Sequence, residues 1–91
     1  MEKIQTVDTY PKDRDATELE TLVIEGIVWY EAEPNMPEDV RVPISKERAE
    51  FLENGDDEPD DYEMMLMDIR DYIEDCYGYL IEDIDGWYIE A

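Results

Sequence analysis

The sequence predicts a small α+β protein, with one antiparallel sheet of about three to four strands packed against two helices. Three observations carry that expectation. A chain of 91 residues suffices for one hydrophobic core and has no room for a second. A run rich in β-branched and aromatic residues, 19–33, has the composition of a strand. Apolar residues spaced by three and four between 62 and 76 have the period of a helix. The chain is 43 % apolar and rich in Ile, Tyr and Trp, so it is not an acidic disordered tail.

Residues 1–18 are polar and hold three of the seven basic side chains, Lys3, Lys12 and Arg14, together with Pro11. They read as an N-terminal arm or edge segment preceding a single acidic domain, 19–91. The strand at 19–33 would place Val23, Ile27 and Trp29 on one face. Leu22, Ile24, Val28 and Tyr30 would lie on the other, with Gly26 marking a bulge or a close approach. A turn at 34–39 leads into a second strand, 40–45, able to pair antiparallel with the first. Pro43 places that strand at a sheet edge or at its own end.

The first helix is expected over 45–55, with Ser45 as its N-cap and Asn54-Gly55 as its stop. The second is expected over 60–77. Pro59 suits its first turn, Asp60, Asp61 and Glu63 suit the positive end of its dipole, and Gly78 suits its end. Its core face would carry Tyr62, Leu66, Ile69, Ile73 and Cys76, flanked by Met65, Tyr72 and Tyr77. Residues 79–91 read as a tight hairpin turning at Asp85-Gly86. The competing reading continues the helix to Ile84.

Charge is the dominant feature. Acidic side chains number 28 against 7 basic ones, for a net charge of −21. Self-repulsion at that charge opposes compaction, and added salt should stabilise the fold. The imbalance is steepest from Glu53 to Ala91, where 15 carboxylates face a single cation, Arg70. The segment "NGDDEPDDYE", 54–63, holds six carboxylates and no positive charge. Helix initiation accounts for two or three of them.

On a helical wheel Asp60, Asp68, Asp71, Glu74 and Asp75 lie opposite the core face, with Met64 and Met67 among them. Like charges at these spacings cost a few tenths of a kcal/mol per pair, so stability alone would intersperse lysines. Methionine is a soft, adaptable contact residue. Such a face suits docking on a basic protein groove, with carboxylates standing about 5–7 Å apart where DNA phosphates would sit.

Other chemistries lack their residues. The chain has no histidine and one cysteine, which excludes His-dependent triads and intramolecular disulfides and disfavours zinc. Cys76 is expected in the core. There is no Gly-rich phosphate loop. A calcium loop with Gly86 in its sixth position would begin on Ile81 and would need its closing glutamate after Ala91. With 28 carboxylates, paired acids arise by accident and do not indicate hydrolysis. The chain is therefore expected to be no enzyme and to need no cofactor or metal. Halophilic adaptation fits poorly, since nine Ile, seven Tyr and five Met stand against four Ala.

With seven cations the chain should not bind nucleic acid directly, and its charge disfavours anionic membranes. The polar N-terminus "MEKIQTVDTY" has no signal-peptide core, and no apolar run approaches the ~20 residues of a membrane span. A cytoplasmic location is expected.

In size, charge and its acidic helix face the chain resembles the DNA-mimic proteins of bacteriophages and mobile elements, of the anti-restriction and anti-CRISPR type. The resemblance covers the composition of residues 20–91 and no sequence motif. It implies a stoichiometric inhibitor that occludes the basic nucleic-acid groove of a defence enzyme in a bacterial host cell. The candidate contact residues are Asp56, Asp57, Glu58, Asp60, Asp61, Glu63, Met64, Met67, Asp68, Asp71, Glu74 and Asp75. Two alternatives stand beside it: an immunity protein or antitoxin against a basic nuclease toxin, and an acidic adaptor or regulatory protein-binding module. Homo-oligomerisation stays open.

Overall fold

A bent antiparallel ribbon organises the molecule. The structure, a computed structural model, describes residues 4–31, 33–54 and 59–90, with the side chains of 59–62 excepted. Strand β2, Leu19–Glu25, and strand β3, Val28–Tyr30, form one side of the ribbon. Strand β5, Leu80–Asp83, and strand β6, Gly86–Glu90, form the other. β2 pairs with β6 and β3 with β5, both antiparallel. The register carries across the bend, since Glu25 faces Gly86 and Val28 faces Asp83. Two residues on each side, Gly26-Ile27 and Ile84-Asp85, make the corner, and Asp85 N–H donates to the Glu25 carbonyl at 2.9 Å.

Gly26 is required at this corner. Its φ is +62°, and a Cβ there would collide with the Cβ of Asp85. The close approach expected at Gly26 is therefore present, but the single strand over 19–33 is not. Before the bend Leu22, Val23 and Ile24 are all buried, with Leu22 and Ile24 in the main core; after it only one face stays covered, with Ile27 buried and Trp29 partly so, while Val28 and Tyr30 are exposed.

Within 79–90 lie two strands, Leu80–Asp83 and Gly86–Glu90, as the hairpin reading has it, but they pair with β3 and β2 and lie in different sheets. The Asp-Gly signal acts as a corner, because each strand pairs with a strand earlier in the chain instead of with the other. The helix does not continue through Gly78, whose φ of +77° ends it.

The larger sheet has the order β1-β4-β2-β6 and the smaller one β3-β5. Strand β4, Asp39–Ser45, pairs antiparallel with β2, as expected. Strand β1, Ile4–Thr6, adds a parallel pair on the other side of β4. This places Pro43 in an interior strand rather than at an edge or strand end. The Pro43 carbonyl accepts from Tyr10 N–H at 2.9 Å, so its backbone polar side faces away from β2, beyond the end of β1. No ladder bond to β2 is lost where the proline lacks its N–H.

The core lies between one face of the four-stranded sheet and the two helices. Leu22, Ile24, Val40, Val42 and Ile44 line the sheet and are fully buried. Helix α1, Lys46–Glu53, contributes Ala49 and Leu52; helix α2, Pro59–Tyr77, contributes Ile69 and Ile73; Ile27 of the corner and Ile81 of the small sheet join the same cluster. α1 starts straight out of β4. Ser45 keeps an extended backbone, and its hydroxyl accepts from Arg48 N–H at 3.1 Å. At the far end Asn54 N–H donates to the Glu50 carbonyl.

The segment between β1 and β2 is stitched into this core. Tyr10 is buried and meets Tyr72 edge to face. The Tyr72 hydroxyl donates to the Asp8 carbonyl at 2.8 Å. Burial first, with Cys76 next, pushes the Tyr72 phenol up to about 12, so it remains a donor through the neutral range. Asp13 is also buried and receives Arg48 and the Ser45 N–H.

Candidate functional site

α2 runs for 19 residues, about 28 Å at 1.5 Å per residue. Its inner stripe is Met65, Leu66, Ile69, Tyr72, Ile73 and Tyr77. The opposite face carries Glu63, Met64, Met67, Asp68, Asp71 and Asp75, all exposed. Met64 is 65 % and Met67 61 % exposed, so neither packs beneath the N-terminal segment or the sheet. From Met64 to Asp75 this face spans about 16 Å.

The candidate acidic residues differ in their surroundings. Asp68 lies 3.6 Å from Lys12 Nζ, an ion pair exposed on both sides and easily displaced by a partner. Asp71 and Asp75 have no cation of the chain within ion-pair distance among the described residues. Glu74 departs from its expected place on the open face. It is half-buried, and its Oε2 accepts from Ile81 N–H at 2.6 Å. Arg70, one turn earlier, donates to the Ile81 carbonyl at 3.4 Å. The two side chains thus occupy both backbone groups of Ile81 on the outer side of β5, closing a strand edge. The one cation of the acidic half bonds the backbone of β5 and, among the described residues, makes no ion pair with the carboxylates of this face. Asp56, Asp57 and Glu58 lie outside the described residues, as do the side chains of Asp60, Asp61 and Tyr62.

Cys76 is exposed, contrary to its expected place in the core. At this end of α2 its neighbours make the contacts. Tyr77 packs edge to face on Trp29 with centroids 5.3 Å apart and donates to Gln5 at 2.9 Å, while Tyr72 packs on Tyr10.

Beside α2 the smaller sheet exposes apolar residues that helical periodicity could not reveal. Leu80 is 61 % exposed, and its cross-strand partner Tyr30 is exposed as well. A groove of about 550 Å³ separates Leu80 from α2, lined by Asp71, Glu74, Asp75, Gly78, Tyr79 and Leu80. The run "YLIED" does not alternate in polarity, so no sequence signal separates exposed Leu80 from buried Ile81; strand geometry alone sends them to opposite faces.

Among the described residues no three His, Cys, Asp or Glu side chains converge to hold a metal ion. No described helix is long and apolar enough to cross a membrane. No protein-family model, curated protein or solved structure matches this chain.

Proposed function

We propose that this protein is a stoichiometric inhibitor that works by binding rather than catalysis. It presents the outer face of α2 as a nucleic-acid mimic to the basic groove of a protein partner. The partner class is a nucleic-acid-processing enzyme of a bacterial defence system, met in the cytoplasm of the cell. The observation that carries the reading is the carboxylate face of α2: among the described residues Asp71 and Asp75 have no ion-pair partner, and they lie beside exposed Met64 and Met67. An acidic surface of this kind steers a positively charged groove toward it and supplies the counter-charges that phosphates would supply.

The mechanism is occlusion. Carboxylates meet the partner's Lys and Arg side chains, and the flexible methionines fill the spaces between them. An immunity protein against a basic nuclease toxin would use the same physics, and the identity of the partner separates the two. The exposure of Leu80 and the two methionines favours a second reading, an acidic adaptor whose binding rests on apolar contact.

Capture from nuclease-treated bacterial lysates at ~0.1 M salt tests the proposal, with elution by duplex DNA in one arm and by ~1 M salt in another. A basic nucleic-acid-binding protein released by both supports mimicry. A partner that resists salt and ignores DNA supports the adaptor.

A further inference from the structure

We infer that the docking surface does not end with α2 but continues across the adjoining groove onto the β3–β5 sheet. The part of the partner that seats there is an apolar side chain ringed by Lys or Arg. The inference rests on the reading of α2 as the docking face and specifies what that face accepts.

The three most exposed large apolar side chains among the described residues are Met64, Met67 and Leu80. They lie on one continuous strip. A pocket of about 160 Å³ is lined by Met67, Arg70, Asp71 and Glu74, with Arg70 donating to the Ile81 carbonyl, and the larger groove runs from Asp71 and Glu74 to Leu80. Leu80 is in register with Tyr30 across β5 and β3, and the two are 61 % and 52 % exposed. The strip thus passes from methionine through Asp71 and Asp75 to a Leu-Tyr pair.

A bare phosphate-contact groove would leave Leu80 and Tyr30 without partners. An apolar side chain of the partner, flanked by cations, satisfies both halves: it covers Leu80 while its neighbours reach Asp71 and Asp75. Tyr30 adds a ring face on which an arginine can lie. Charge complementarity selects this occupant, because an acidic or neutral apolar segment would bring no counter-charge to the carboxylates.

The test maps the backbone amide resonances of the full chain during titration with two arginine-rich peptides of equal length and charge. One carries a central Leu-Phe pair and the other Gly-Gly in its place. The inference expects the Leu-Phe peptide to shift Tyr30, Leu80 and Met67 together. It also expects that peptide to bind about tenfold more tightly than its Gly-Gly counterpart, an advantage lost in Leu80→Ser. Leu80 is exposed, so the variant should retain the wild-type amide spectrum elsewhere. Equal binding of both peptides, with shifts confined to α2, would overturn the extension while leaving the acidic face intact as a docking site. Failure of both peptides to bind at ~0.05 M salt would overturn the α2 reading and the extension together.

Discussion

The guanidinium of Arg48 grips the carboxylate of Asp13 with two bonds, 2.7 Å from Nε to Oδ2 and 3.1 Å from Nη2 to Oδ1. Asp13 also accepts from Ser45 N–H, and Arg48 lies 4.9 Å from the centre of the Tyr10 ring. One buried carboxylate therefore ties the segment before β2 to the start of α1. Asp13→Ala would leave Arg48 without its partner and should cost about 3 kcal/mol in chemical denaturation. Replacing both residues by apolar ones of similar size should recover much of that loss.

The same pair sets an acid limit. Burial alone would raise the Asp13 pKa, but the Arg48 hydrogen bonds and charge and the Ser45 N–H outweigh it and hold it below its ordinary 3.8. A carboxyl whose folded-state pKa is depressed stabilises the fold fully above its unfolded value. The stabilisation is lost as pH falls through the folded value. Wild type should therefore lose its advantage over Asp13→Asn below about pH 4 and keep it at neutrality. Parallel denaturation curves at several pH values check this, and an advantage that grows on acidification would contradict it.

Gly26→Ala should destabilise by roughly 2 kcal/mol or more, because it combines an unfavourable positive φ with a collision against Asp85. Gly86→Ala makes the informative control. It begins β6 directly beside the corner, yet a Cβ there meets nothing. Equal costs at the two glycines, read from their melting transitions, would show that the corner is not the constraint.

Local rules account for what was legible. Ser45, Pro59 and Gly78 mark helix ends through chemistry confined to a few residues, and a helical wheel suffices to set Ile69 and Ile73 against the acidic face. The rest depended on partners distant in sequence. Asp85-Gly86 has the local signature of a hairpin, but β5 and β6 pair with strands some fifty to seventy residues earlier. Pro43 suits an interior strand only because its backbone faces the 7–10 segment. Glu74 belongs to the acidic face by angle alone. The backbone of Ile81 removes it from that face, and no periodicity encodes that contact.

Those differences among the carboxylates can be measured. Reversing Asp68, Asp71 and Asp75 to lysine should preserve the fold and change stability by less than about 1 kcal/mol, since all three are exposed. Added salt should stabilise wild type more than this variant, because less repulsion remains to be screened. Glu74→Gln should instead lower stability, since a weaker neutral acceptor would receive the Ile81 N–H. Thermal melts across a salt series distinguish the two behaviours.

Cys76 should react with a thiol reagent in the native protein at a rate close to that in denaturant, since it is exposed. Ile73→Asp should abolish cooperative unfolding, because it would bury a charge where a fully enclosed side chain now packs. A protected thiol or a cooperatively folded Ile73→Asp variant would contradict the assigned faces of α2.

The central claim is that the α2 face occupies a groove built for nucleic acid. The most direct measurement adds this protein to a complex of the captured partner with fluorescently labelled duplex DNA and follows anisotropy. The account predicts complete release of the duplex near one equivalent, with release weakened by orders of magnitude in the Asp68→Lys, Asp71→Lys, Asp75→Lys variant. Retention of the duplex in a ternary complex, or equal release by wild type and variant, would contradict it.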